Sequence, residues 1–182
     1  MFTTTIFLVL LTGTGLWLFN SLVRDRNQML AAWADIEVQL KRRYDLVPQL
    51  VSAVKAYADY ERSTMAAVTA LRSQSEATAS LPEKARLEAG LEQAMHKLVA
   101  VAEAYPELKA NQNFRQLQKD LVDTEEQLQY ARRFYNGAVR LYNVRVETFP
   151  GLLVARRFGF SRADYFEVDE AAERISPKVK LP

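Results

Sequence analysis

The chain is poor in the residues that carry most enzyme and metal chemistry. Among its 182 residues there is no cysteine and one histidine, His96. Without cysteine the chain forms no disulfide bond, no thiolate nucleophile and no zinc–thiolate site. It also has no Glu-x-x-His sequence, which excludes the di-iron sites that some helical bundles hold. His96 flanks the apolar seam of a predicted helix, so we interpret it as a residue at the edge of a bundle.

Glycine and proline are also scarce, with six of each. Their scarcity argues against a loop-rich or disordered protein, and the alanine-, leucine- and glutamine-rich middle of the chain favours helix. No glycine-rich phosphate loop is present, because Gly13 and Gly15 lie within an apolar segment. The sequence therefore predicts a protein that is not an enzyme and that uses no cofactor and no metal. Residue counts alone leave a Ser-Lys dyad open.

The charge balance does not point to a highly charged partner. Lys and Arg number 24 and Asp and Glu number 22, which leaves a formal net charge of +2. The charges are unevenly placed, because residues 132–162 contain seven arginines and a single acid, Glu147. An acidic tail follows this basic stretch and offsets it. We therefore expect no nucleic-acid partner.

Residues 1–23 have no charged side chain, and their apolar part covers residues 6–23. This length is near the lower limit for crossing a hydrocarbon core of about 30 Å. A cleaved signal peptide is the alternative, but the basic start and small-residue cleavage site that it needs are not visible. We therefore predict a single-pass transmembrane anchor over residues 1–26. Arg24 and Arg26 follow the apolar part, and the positive-inside rule then places the C-terminal domain in the cytoplasm.

Residues 27–72 are predicted to form one long amphipathic helix. Apolar side chains recur every three or four positions, which places them on one stripe that must be buried against other helices. At 1.5 Å per residue such a helix is about 70 Å long. Pro48 lies inside it, and we expect a kink there rather than an end. The stripe consists of Trp33, Ile36, Leu40, Tyr44, Val47, Val51, Val54, Ala58, Met65 and Val68.

Two further helices complete the predicted bundle, over about residues 83–104 and 113–148. Pro82 suits the start of the former, and Asn113 is the predicted N-cap of the latter. The last helix carries a buried stripe and a second apolar stripe beside it, which suggests contact with more than one neighbour. The fold class is therefore all-α: the anchor is followed, over residues 27–162, by an elongated antiparallel bundle of three long helices and a short C-terminal element. The second stripe consists of Tyr130, Phe134, Gly137, Leu141 and Val144.

The short C-terminal element combines apolar side chains with arginines. In one interpretation the arginines bind anionic lipid headgroups and the apolar side chains enter the membrane interface. In the other, the apolar side chains close the bundle or dock on a neighbouring copy. Residues 163–182 are predicted to be an acidic, loosely ordered tail. The candidate membrane-surface or assembly residues are Leu152, Leu153, Val154, Arg156, Arg157, Phe158 and Phe160.

A second candidate surface is formed by polar residues that flank the seams. In an antiparallel bundle some of them can pair across helices with acids such as Asp35 or Glu125. Charges beside a seam set register and partner choice, which is the structural interpretation. The alternative is a surface that binds a partner protein or a lipid headgroup, and a catalytic role is the least favoured. These residues are Arg42, Arg43, Asp45, Arg132, Arg133 and Asn136.

Four blocks of sequence resemble the LemA family of bacterial membrane proteins. They are AWADIEVQLKRRYDLVPQLV (32–51), YPELKANQNFRQLQ (105–118), YARRFYNGAVRLYN (130–143) and FPGLLVARRFGF (149–160). The blocks occur in the family's order, after one N-terminal apolar segment, and the resemblance extends over essentially the whole chain. The resemblance implies an N-terminal anchor and an elongated antiparallel helical bundle. It implies no enzymatic activity, no cofactor and no settled molecular function.

These observations predict a membrane-anchored helical scaffold at the bacterial plasma (inner) membrane. It would self-assemble or cluster partners there, and bind or shape the bilayer. Its expected partners are membrane lipid, further copies of the chain and a membrane protein. The alternative is an adaptor or regulator of a membrane protease or an envelope-stress system. Such an adaptor would bind one partner through the Arg42–Arg43 surface and would need no self-assembly.

Overall fold

The computed structural model describes residues 2–58 and 60–166, and the all-α prediction is confirmed for them. Six helices are formed within these residues, and they contain no strand. The part of the predicted tail from residue 167 onwards lies outside the described residues. In chain order the helices are α1 (Phe2–Lys55), α2 (Arg62–Ala77), α3 (Leu81–Glu103), α4 (Pro106–Ala110), α5 (Gln112–Glu147) and α6 (Gly151–Phe158).

Helix α1 is continuous from the apolar N-terminal segment into the core. It has 54 residues, which corresponds to about 80 Å. Its first part stands clear of the rest of the chain, since Leu10 and Trp17 are 64% and 65% exposed. Buried positions begin at Leu18. The window of highest hydropathy in α1 is long and apolar enough to cross a bilayer, which makes it a candidate membrane span.

The prediction of one helix over residues 27–72 is wrong, because α1 ends at Lys55 and the chain reverses before α2. Met65 and Val68 had the right spacing to continue the α1 stripe, and both are buried. They are buried because α2 folds back along α1, whereas a straight extension would leave them in water beyond the ends of the other helices. Pro48 lies inside α1, which does not end there.

Helices α1 and α5 form the long antiparallel pair of the bundle. The Trp33 and Tyr135 rings meet edge to face with centroids 5.5 Å apart. Nearer the candidate span, a guanidinium nitrogen of Arg145 on α5 forms an ion pair with a carboxylate oxygen of Asp25 on α1 at 3.2 Å. Helices α2 and α3 form a shorter hairpin that packs against the half of α1 farther from the span. The far end of the bundle therefore contains the long helices α1, α2, α3 and α5 with the short α4, whereas α1 and α5 continue towards the span with the short α6 packed on both.

The ends of the helices follow local capping chemistry. The side chain of Asn111 accepts hydrogen bonds from the backbone N–H groups of Asn113 and Phe114, so the N-cap of α5 is Asn111. The prediction of Asn113 as the cap was wrong by two residues, because Asn111 directly follows the short helix α4 and caps α5. Gly151 begins α6 where a Cβ atom would overlap the backbone carbonyl of Arg145. Glycine is required there for the close approach of α6 to α5.

The second apolar stripe of α5 has no neighbour within the described chain. Tyr130 and Leu141 are 63% and 62% exposed, and Phe134 and Val144 are about half exposed. The buried stripe of the same helix packs on α1, and the C-terminal residues lie along another side. The contact with an additional neighbour that this stripe predicts is therefore not made by the part of the chain that the structure describes.

Candidate functional site

A buried charge network joins all four helices of the far half of the bundle. Arg43 of α1 donates to Glu88 of α3 at 2.8 Å, and its other terminal nitrogen donates to Glu125 of α5. The Arg43 and Glu88 side chains are 1% and 0% exposed. The hydroxyl groups of Tyr44 on α1 and Ser75 on α2 both donate hydrogen bonds to the other carboxylate oxygen of Glu88. The Glu88 carboxylate on α3 thus has partners on α1 and α2, and Arg43 links it to Glu125 on the fourth helix, α5.

Burial changes the acid–base properties of these groups. Removal from water lowers the pKa of the Arg43 guanidinium, and the negative charge of Glu88 opposes that shift. Burial raises the pKa of the Tyr44 phenol, and its hydrogen bond to Glu88 raises it further. Tyr44 therefore stays protonated well above the pH at which an exposed tyrosine ionises. A neutral phenol can keep donating to the carboxylate, which stabilises the network.

Arg132 extends the network towards the candidate span. Its guanidinium lies 3.8 Å from Glu92 of α3 and 5.2 Å from the centre of the Phe166 ring. Burial lowers its pKa, and Glu92 and Glu88 counteract that effect. Because Arg132 contacts both α3 and the C-terminal segment, it connects the far half of the bundle with the near half.

Two asparagines of α5 bind the C-terminal segment through backbone hydrogen bonds. Asn143 donates to the carbonyl of Ala163 and accepts from its N–H, both at 2.9 Å. Asn136 makes the same pair of bonds with Phe166, at 3.1 and 2.9 Å. Seven helical residues rise about 10 Å, as do three extended residues, so the two spacings match. Residues 163–166, which were predicted to belong to the loose tail, are therefore fixed against α5, and Phe166 packs on Trp33.

The six predicted polar residues do not share one surface. Arg43 is buried in the network, and Arg132 and Asn136 face the C-terminal segment. Arg42, Asp45 and Arg133 are exposed. Sequence reasoning missed Glu88 and Ser75, which complete the network. Glu88 could have been found, because it stands three residues before the buried Leu91 and seven before Met95, on the inward face of α3.

No metal-binding geometry accompanies these groups, since the described residues contain no cluster of three His, Cys, Asp or Glu side chains. His96 is exposed and lines an apolar groove of 610 Å³ between α3 and α5, together with Met95, Val99, Leu121 and Val122.

Helix α6 lies beside the part of α1 that enters the candidate span. The rings of Phe158 and Phe160 pack on Phe19 with centroids 4.9 and 5.8 Å away. Ala155 is buried against Leu22 of α1 and the end of α5. The candidate membrane-surface residues of this segment differ in how far they are exposed to solvent. Leu152 and Val154 are half-buried, whereas Leu153, Arg156, Arg157 and Phe158 are exposed.

Phe19 precedes the first charged residue of α1, Arg24, by five positions, or about 7 Å along the helix. Phe158 at the end of α6 and Phe160 just after it therefore reach the level of the candidate span, with exposed arginines next to them. This arrangement defines the class of protein: a helical bundle whose first helix continues into a candidate membrane span, with an amphipathic helix at the junction.

The comparison with known families agrees with this class. A model of the LemA family matches residues 32–181, and the chain belongs to the LemA family. The resemblance carried by the four sequence blocks is thereby confirmed.

Several curated proteins are similar to this chain. The magnetosome protein MamQ of Magnetospirillum gryphiswaldense is 24% identical over 200 residues, which covers 94% of this chain and 74% of that protein. Protein LemA of Metamycoplasma hominis is 25% identical over 157 residues, or 86% of this chain and 71% of that protein. Magnetosome protein MamQ 2 of Paramagnetospirillum magneticum is 30% identical over 92 residues, and the match spans 50% of this chain but only 34% of that protein's length.

Proposed function

We propose that this protein is a non-enzymatic, single-pass scaffold of the bacterial plasma membrane whose cytoplasmic bundle assembles with further copies and clusters partners at the bilayer. The continuity of α1 carries this proposal. One helix of 54 residues serves both as the apolar segment and as the central core helix. With no flexible linker between them, the bundle is held at a fixed distance and in a fixed orientation relative to the apolar segment.

The charges at the junction support a cytoplasmic bundle. Arg24, Arg26, Arg156 and Arg157 are all exposed, and they gather at the end of the bundle that adjoins the candidate span. Arginines that flank a span favour the cytoplasmic side. The fold thus adds two arginines from α6 to the two that follow the span in sequence.

Helix α6 is the part of the scaffold that binds the bilayer surface. Leu153 and Phe158 are 61% and 59% exposed, and burying them in the interface would remove apolar area from water. Arg156 and Arg157 lie on the same short helix, where each would contribute about 1 kcal/mol of attraction to an anionic surface.

The internal chemistry of the bundle supports a structural role for its polar groups. Glu88 is fully buried, and Arg43, Tyr44 and Ser75 saturate its carboxylate. A catalytic carboxylate has to face a substrate, whereas this one faces only side chains of its own chain. Such a network fixes the register of four helices.

The test uses the full-length protein, solubilised in detergent and reconstituted in nanodiscs. We expect regular particles much larger than a monomer by size analysis and electron microscopy. In nanodiscs, anionic lipid should slow hydrogen exchange of the α6 amides, and the double variant Arg156→Gln/Arg157→Gln should abolish that effect. The matched control is Lys109→Gln/Arg115→Gln, which removes the same charge at the far end of the bundle. A monomer in both environments would contradict the scaffold function.

An adaptor or regulator of a membrane protease or an envelope-stress system is the second candidate function. The groove between α3 and α5 favours it, because its mostly apolar lining suits a single helix of a membrane partner. Crosslinking in intact membranes separates the two functions. Homotypic ladders support the scaffold, and one heterologous band without ladders supports the adaptor.

A further inference from the structure

The exposed stripe of α5 has the spacing of a helix–helix interface. Tyr130, Phe134, Gly137, Leu141 and Val144 are separated by intervals of four, three, four and three residues, which is a heptad pattern. A monomer gains nothing from five such positions on one exposed line. We propose that the α1 helix of a second copy occupies this stripe, in a head-to-tail contact between neighbouring bundles. The proposal rests on the scaffold function and names the surfaces that it uses.

The glycine at the centre of the stripe supports a close helix contact. Gly137 lies in the interior of α5, where glycine destabilises a helix relative to alanine. A Cβ atom there would have no neighbour within 4 Å, so the fold of the single chain does not require glycine. A second helix that approaches the stripe closely would require it.

The complementary face lies on the outer side of α1. Leu30, Ala34 and Val38 follow each other at intervals of four residues and are all exposed. Val38 is 63% exposed and lies about 160° around the helix from the buried Ile36. This side of α1 therefore points away from the core of its own chain and is available to a neighbour.

The membrane sets the relative height of the two faces. Copies held by continuous α1 helices in one bilayer stand parallel and at equal height. Within one chain Trp33 lies opposite Tyr135 and Arg43 lies opposite Glu125. Moving ten residues up α1 therefore corresponds to moving ten residues down α5, which gives the register of heights. Ala34 of one copy therefore lies at the height of Phe134 of its neighbour.

Side-chain sizes are complementary at the three heights where the exposed face of α1 presents Leu30, Ala34 and Val38. The large Phe134 meets the small Ala34, and Gly137 meets Leu30, which can fill the space that the glycine leaves. Tyr130 meets Val38. Large residues opposite small ones are what close packing between two helices requires.

The charges beside the two faces are complementary as well. On α5, Arg133 and Glu126 flank the stripe on one side, and both are exposed. On α1, Glu37 and Lys41 lie on the side that turns towards them in an antiparallel contact, at nearly the same heights. The contact thus pairs Arg133 with Glu37 and Glu126 with Lys41. A symmetric contact of α5 with α5 would instead place Phe134 on itself and gather the arginines of both copies.

A head-to-tail contact repeats, because each copy presents both faces. Such contacts generate a ring or an open array rather than a closed dimer. This property distinguishes the proposed interface from any two-fold pairing of the same stripe.

Crosslinking tests the interface directly, since the chain has no cysteine. Val38→Cys and Tyr130→Cys are made separately and together in the full-length protein and oxidised in membranes. A disulfide needs Cβ atoms about 4 Å apart. We expect monomers from each single variant, dimers when the two are coexpressed, and a ladder from the double variant. Dimers from Tyr130→Cys alone would show the symmetric contact and overturn the proposal.

Gly137→Phe provides a second measurement that does not disturb the fold of the single chain. We expect an unchanged helical spectrum and a melting temperature that is no lower in monomeric detergent samples, and at least a tenfold loss of large particles. Gln129→Phe is the control, because that exposed position of α5 lies off the stripe. Large particles that give no crosslink and tolerate Gly137→Phe would overturn this interface while leaving the scaffold function standing. Absence of large particles in the unmodified protein would overturn both.

Discussion

Arg72 donates from its Nε to the backbone carbonyl of Tyr44 at 2.8 Å. Pro48 has no N–H, so this carbonyl lacks the helical partner four residues later that it would otherwise have. Helix α2 thus supplies from outside the hydrogen bond that the proline removes from α1. The contact explains how α1 continues through Pro48 and also fixes α2 against it.

The first prediction concerns this contact. Arg72→Met should lower the free energy of unfolding by about 1–2 kcal/mol, because it leaves a largely buried carbonyl without a partner. For a domain of this size that corresponds to an apparent melting temperature lower by about 2–8 °C. Thermal unfolding of the full-length protein in detergent, followed by circular dichroism, measures it.

A double-mutant cycle gives the control. Pro48→Ala restores an N–H that can donate to Tyr44, so Arg72→Met should cost much less in that background. Arg86→Met, which removes an exposed pair with Glu83, should have an effect below about 0.5 kcal/mol. Equal costs of Arg72→Met with and without Pro48 would show that the arginine stabilises the fold in some other way.

The second prediction compares two adjacent arginines. Arg43→Met should destabilise the protein by about 3–5 kcal/mol, because it leaves Glu88 charged and buried without its partner. Arg42→Met should be nearly neutral, since that side chain is exposed. Chemical denaturation of both variants measures the difference. Arg43→Met combined with Glu88→Gln should recover part of the loss, and similar costs for Arg42 and Arg43 would contradict the buried network.

The third prediction is a loss of stability at high pH. Burial raises the pKa of Tyr44 above its ordinary value, so the unfolded chain releases this proton first as the pH rises. The stabilisation is fully present below about pH 10, and it is lost above that pH by up to about 1.4 kcal/mol per pH unit. Burial also raises the pKa of Tyr135 and Tyr142, and these residues contribute in the same direction.

Comparison with Tyr44→Phe isolates the contribution of this residue. Arg43, Glu88 and Ser75 face the phenol, and all three remain in the variant. Its unfolding free energy should be lower at pH 8, because two hydrogen bonds are lost, but it should fall less steeply between pH 10 and 12. Parallel curves for the two proteins would exclude Tyr44 as a source of the alkaline loss.

The fourth prediction concerns the bound C-terminal segment. Asn143→Ala should abolish the hydrogen-exchange protection of the Ala163 amide, which donates to the Asn143 side chain. The cost should be about 1–3 kcal/mol, because a donor and an acceptor of the segment lose their partners. Asn27→Ala, an exposed change on α1, is the control. Retained protection at Ala163 in the Asn143 variant would contradict the binding of this segment.

Periodicity predicted the helices well but not their directions. The limits of α5 came within one residue, and the apolar segment lies in α1 as expected. Spacing could not show the reversal before α2, because Met65 and Val68 keep the same interval whether the chain continues or folds back. The chain folds back because this buries Met65 and Val68, and whether a position can be buried depends on where the other helices end.

The candidate sites were harder to predict, because pairing across helices is not encoded in spacing along one helix. Arg42 and Arg43 are equivalent in sequence terms, yet one is in water and the other is buried. The difference comes from Glu88, which lies far away in the chain. Asn136 and Asn143 are one heptad apart, but the segment that they bind is an extended backbone, which leaves no side-chain pattern to detect.

Because α1 is continuous, a tilt of its apolar segment is transmitted to the whole bundle. A bilayer that is thicker or thinner than the apolar segment changes the tilt of that segment. Lys55 lies about 45 Å beyond Arg24 along the helix, so a tilt of 10° displaces the far tip of the bundle sideways by about 8 Å. For the scaffold proposed above, the lateral position of the far tip relative to the anchor would therefore depend on membrane thickness, and thus on the lipid composition around the protein.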